Sequence, residues 1–101
     1  MESIYEGFLA FENVVRITTE VEWAEFCTWM KRLGLKDIKY LKRLSFSSLH
    51  SNAGVQTIPY GELCVEFQLG KGFTVDRASE YEEFGCNVIS LRDLINDVTA
   101  E

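Results

Sequence analysis

The stretch Glu62 to Val75, ELCVEFQLGKGFTV, decides the fold. Leu63, Val65, Phe67 and Leu69 alternate with Glu62, Cys64, Glu66 and Gln68, the two-residue period of a strand with one buried face. The pattern predicts a half-buried strand with Cys64 and Glu66 on its exposed polar side. Gly70-Lys71-Gly72 makes a tight turn, and Phe73-Thr74-Val75 returns as the partner strand.

Downstream, Asp76 is placed to cap a short helix near 77–84, which Gly85 stops. Cys86 to Ile89 reads as a short strand. Ser90 and Asp93 have capping-box spacing, and Leu91, Leu94, Ile95 and Val98 form the apolar stripe of a helix over 91–98. Upstream, Thr19 and Glu22 have the same spacing, and Trp23, Phe26, Cys27 and Met30 share one face of a helix over 20–33. Glu20, Glu22 and Glu25 come early in it and Lys31 and Arg32 late, matching the helix dipole, and Gly34 ends it. The first segment, Ser3 to Phe11, is apolar and aromatic and is read as a strand, paired as a hairpin with β-branched Val14 to Ile17. Residues 36–49 admit either a helix extension or a strand. Leu44-Ser45-Phe46-Ser47 favours strand in the second half, and His50 to Gln56 reads as an exposed loop.

These elements predict one α+β domain over 1–101, a mainly antiparallel sheet with helices near 20–33, 77–84 and 91–98. The expected core is Phe8, Ile17, Trp23, Phe26, Cys27, Met30, Leu63, Val65, Phe67, Phe73, Tyr81, Val88, Ile89, Leu94 and Ile95. Composition agrees. The chain has 101 residues, 47% hydrophobic and 26% charged, with one proline, which suits a folded domain and not a disordered chain. It contains no apolar run of about 18 residues to span a membrane. The acids in MESIYEGFLAFE argue against a secretory signal, and three unpaired-looking cysteines fit a reducing, cytoplasmic setting.

Chemistry-bearing patterns are sparse. Cys27, Cys64, Cys86 and His50 lack the close spacing of a zinc site, so no metal or other cofactor is expected. His50 is the one histidine, placed beside Ser48 and Ser51 without a nucleophile elbow, and is expected to be exposed and non-catalytic. Asp76, Glu80 and Glu83 recur at helical spacing, but no calcium-loop residues surround them. Gly70-Lys71-Gly72 lacks the remainder of a phosphate loop. No catalytic residue, and no enzyme, is read from these patterns.

Charge is the uneven feature. Positions 31–43 hold six basic residues and one acid, so +5, in a chain of net charge −6; the remainder carries −11. Such a patch serves protein docking or, as the alternative, nucleic-acid binding. The overall negative charge opposes phosphate, and only Tyr40 and Phe46 offer stacking. The acids could in turn imitate nucleic-acid phosphates, but they are scattered instead of forming runs. The segment from Lys36 to Gln56 is therefore the expected contact region for a protein partner, with Lys36, Lys39, Tyr40, Lys42 and Arg43 as its contacts. Tyr40 and Arg43 are the anchors, and the lysines tune encounter. An aromatic content of 13% also permits a homo-oligomeric surface.

Two stretches carry a resemblance: RITTEVEWAEFCTWMKRLG (16–34) and GFTVDRASEYEEFGCNVIS (72–90) followed by LRDLI (91–95). They resemble small accessory proteins encoded by bacteriophages and prophages, with the pattern T-x-E-E-W-x-x-F, a closing glycine, a Gly-aromatic hairpin and a YYEE-type helix–strand. This chain departs from that pattern at Glu80-Tyr81 and Cys86, and its basic segment has no counterpart. The resemblance implies a phage-type protein in the host cytoplasm that binds, and inhibits, a host or viral protein such as a defence factor, without catalysis.

Overall fold

The computed structural model describes residues 3–35, 45–51, 58–68 and 71–99. Five helices and four strands are present among them: α1 (Ile4–Leu9), β1 (Asn13–Arg16), α2 (Glu20–Arg32), α3 (Phe46–Ser51), β2 (Leu63–Gln68), β3 (Gly72–Arg77), α4 (Ala78–Glu83), β4 (Asn87–Ser90) and α5 (Leu91–Thr99). The class is α+β. The sheet runs β3-β2-β1-β4. β2 is antiparallel to both β1 and β3, but β4 lies parallel to β1, with Val15 opposite Ile89, so the sheet is mixed.

The first segment departs from its predicted strand. Ser3 accepts a hydrogen bond from the Glu6 amide and caps α1. Ile4, Tyr5, Phe8 and Leu9 recur with helical spacing and put Phe8 in the core, so the 3.6-residue period outweighs β propensity. Asn13 holds the helix to the sheet: its Nδ2 donates to the Ile4 carbonyl, and its Oδ1 accepts from Asn87. Gly7 packs so closely on the Asn13 amide that a Cβ there would collide with it. Phe11 leaves the helix with φ at +60°, and its ring meets Tyr81 edge-on.

α2 follows the expected bounds closely. The Thr19 hydroxyl accepts from the Glu22 amide, although the Glu22 carboxylate turns to the amide and hydroxyl of Thr18 instead of to Thr19. Ser90 caps α5 by accepting from the Asp93 amide. α4 differs from its expected start. Arg77 stands at its N-cap position without a side-chain capping bond to the helix amides, and Asp76 sits in β3, where its Oδ1 accepts from the Arg77 amide. Gly85, at φ +86°, ends α4 as predicted.

Strand alternation divides the interior into two layers. Val15, Ile17, Leu63, Val65 and Phe67 face the main core with Phe8, Trp23, Phe26, Met30, Leu91, Leu94 and Ile95. Val14 and Cys64 face the other way, under Ala78 and Tyr81 of α4 and beside Cys86. Because α4 covers that second face, β2 is buried on both sides and not half-buried. Phe73, Val88 and Ile89, expected in the core, are only partly buried. Among the described residues no helix is long and apolar enough to cross a membrane.

Candidate functional site

The predicted contacts Lys36, Lys39, Tyr40, Lys42 and Arg43 lie outside the described residues, as do positions 52–56. The chain on either side of 52–57 is described, and it overturns two expectations. Residues 46–51 form a helix, not a strand or loop. The Ser45 hydroxyl accepts from the Ser48 amide, and Phe46, Leu49 and His50 fall at i, i+3 and i+4, the spacing of one buried face. His50, expected to be exposed, is only 3% accessible.

His50 closes this part of the chain. Its carbonyl accepts from the Ile58 amide at 2.7 Å, and its Nδ1 lies 2.9 Å from the Ile58 carbonyl. A carbonyl only accepts, so Nδ1 is the donor in this contact. Nε2 is sealed from solvent without a hydrogen-bond partner among the described residues. The imidazole is a stacking element. Phe46 meets it edge-on at 4.7 Å, and Tyr60 lies over it at 4.0 Å with a tilt of 32°. Tyr60 nevertheless leaves 67% of its surface in water. An exposed aromatic backed by buried rings is thus fixed at the downstream end of the expected contact region. The sequence reading missed Tyr60; the helical spacing of Phe46, Leu49 and His50 behind Ser45 was the signal that could have found its support.

The sheet face under α4 carries a buried polar group. Glu66 is 9% exposed and accepts from the Tyr81 hydroxyl at 3.0 Å and from Gln68 Nε2 at 2.7 Å. Burial, and then the adjacent Glu66 charge, push the Tyr81 hydroxyl far above its usual range. Cys64, expected on an exposed face, is fully buried, and burial pushes its thiol up to about 11 against the pull of Arg16. Neither group has the lowered pKa of an activated nucleophile or general base. Cys27 is buried as expected, and none of the three cysteines is in a disulfide.

Of the three acids expected on one helix face, Glu80 and Glu83 are exposed on α4 while Asp76 belongs to β3. Phe84, just past α4, is 75% exposed beside these glutamates. Among the described residues no group of three histidine, cysteine or acidic side chains converges to hold a metal. Compared with known proteins, the chain matches no family model, no curated protein and no solved structure.

Proposed function

We propose that this protein is a non-catalytic protein-binding module whose contact surface runs from Lys36 through Gln56 and ends on Tyr60. The observation that carries the reading is Tyr60: 67% exposed, yet stacked at 4.0 Å on a buried histidine. A ring held this way loses little side-chain freedom on binding and offers a large amphipathic area, the properties that place Tyr among interface anchors. The +5 segment 31–43 supplies electrostatic attraction, so the fitting partner is a protein with an acidic surface. In the phage-type setting that the sequence resembles, such a module inhibits a host or viral protein by occupying its surface.

The test is capture of partners by the full chain after nuclease treatment, run in parallel with Tyr60→Ala, Tyr40→Ala and Arg43→Glu. A stoichiometric protein retained by the native chain and lost by these folded variants supports the reading. Retention by all three variants refutes this surface and turns attention to Phe84 and its glutamates. Loss of all binding on nuclease treatment would favour the nucleic-acid alternative.

A further inference from the structure

A separate cavity of about 390 Å³ opens at the carboxyl ends of the parallel strands β1 and β4, lined by Arg16, Thr18, Glu22, Val88, Ile89 and Ser90. None of these residues belongs to the docking surface proposed above, so the two readings stand or fall independently. The volume lies within the range of small-molecule sites, roughly 300–1,000 Å³. Its charges are uncommon in arrangement. The chain has sixteen acidic residues, yet half-buried Arg16 forms no ion pair with any of them among the described residues. Its side chain lies close enough to the Cys64 thiol to oppose the burial that raises that thiol's pKa, and its Nε is sealed from solvent with no hydrogen-bond partner among the described residues. With no acid paired to it among the described residues, the charge of the guanidinium on the cavity wall is left for an anion.

Glu22 stands on the same cavity with the opposite charge. Its Oε1 is occupied by the amide and hydroxyl of Thr18, at 2.8 and 2.6 Å, which fixes the carboxylate and leaves Oε2 as the remaining acceptor. Arg16 and Glu22 do not pair with each other. Val88, whose side chain belongs to the same layer as Cys64, adds apolar surface to the lining. α2 and α5 both begin beside the cavity, so their positive dipole ends reinforce Arg16.

We infer that the cavity binds a small zwitterion, a free α-amino acid with an aliphatic side chain. Its carboxylate pairs with Arg16, its ammonium with Glu22, and its side chain lies on Val88. A simple anion would leave Glu22 repelling it, and a simple amine would meet Arg16; the zwitterion satisfies both.

The test is calorimetric titration of the full chain with L-leucine up to about 10 mM, which covers millimolar affinity. Leucine amide, which lacks the carboxylate, and 4-methylpentanoate, which lacks the ammonium, are titrated alongside. The native protein is expected to bind leucine saturably and each analogue about tenfold or more weakly, the scale of one lost charged hydrogen bond. Arg16→Gln should erase the preference over leucine amide only. Glu22→Gln, which retains the amide cap, should erase the preference over 4-methylpentanoate only. No saturable heat with leucine, or equal binding of all three compounds by the native chain, overturns the assignment. The analogue series on the native chain distinguishes these outcomes even where a variant fails to fold.

Discussion

Two aromatic clusters in this protein use the same ring contacts to different ends. In the first, Phe8, Trp23, Phe26, Phe67 and Phe73 meet at centroid distances from 5.0 to 6.2 Å and close on one another inside the main core. In the second, Phe46, His50 and Tyr60 stack at 4.0 to 5.9 Å, but the chain of rings ends in water. The closed cluster converts ring area into folding stability. The open one holds a ring rigid without burying it. Rigid exposure contributes little to folding and much to recognition, and this contrast is the physical basis for the proposed docking surface.

The largest expected effect lies in the closed cluster. Phe67→Ala should lower unfolding free energy by about 3–5 kcal/mol in urea titration, because the ring is buried and packs on Phe8 and Phe73. A loss below about 1 kcal/mol would mean that this cluster is not closed.

A polar contact outside both clusters gives a smaller, pH-dependent effect. Tyr81→Phe strips buried Glu66 of one donor and should cost about 1–3 kcal/mol near neutral pH. Tyr81 and Cys64 both have folded pKa values raised above their ordinary 10.0 and 9.0. The unfolded chain therefore releases these protons first as pH rises, and binds fewer than the folded chain. The stability they contribute is complete below about pH 9 and is lost progressively above it, for Cys64 up to about 11. Chemical unfolding between pH 8 and pH 11 should show that decline, and Tyr81→Phe should lessen only its part above about pH 10, leaving the Cys64 part in place.

Ser90→Ala removes the cap of α5 and should cost about 1 kcal/mol. Tyr60→Ala should cost less than about 1 kcal/mol, since it gives up two ring contacts but little burial. The order from Phe67 to Tyr60 sharpens the comparison, and a Tyr60 effect near that of Phe67 would abolish it.

The sequence made much of the closed cluster legible. Trp23, Phe26 and Met30 on a capped helix, and Leu63, Val65 and Phe67 on an alternating strand, announce their faces through periodicity alone. Periodicity says nothing of what covers the opposite face, so Cys64 and Glu66 looked exposed until α4 was seen to lie over them. The parallel placement of β4 against β1 is equally silent in local pattern, because it is a pairing between residues about 75 positions apart. In α1 and α3, aromatic and β-type residues sit on helical spacing behind the serine caps Ser3 and Ser45, so strand propensity hides α1 and leaves 46–49 open between helix and strand. Of the candidate site, the charge of 31–43 was legible in composition. Tyr60 was not, because its support comes from a histidine brought over it by the 58–62 chain return.

The most direct test of the central claim measures one variant twice. Tyr60→Ala is assayed for unfolding free energy and for affinity towards the protein that the native chain captures after nuclease treatment. The account predicts stability within about 1 kcal/mol of native and affinity reduced about tenfold or more, the signature of an interface anchor. Native affinity in this variant would contradict the account.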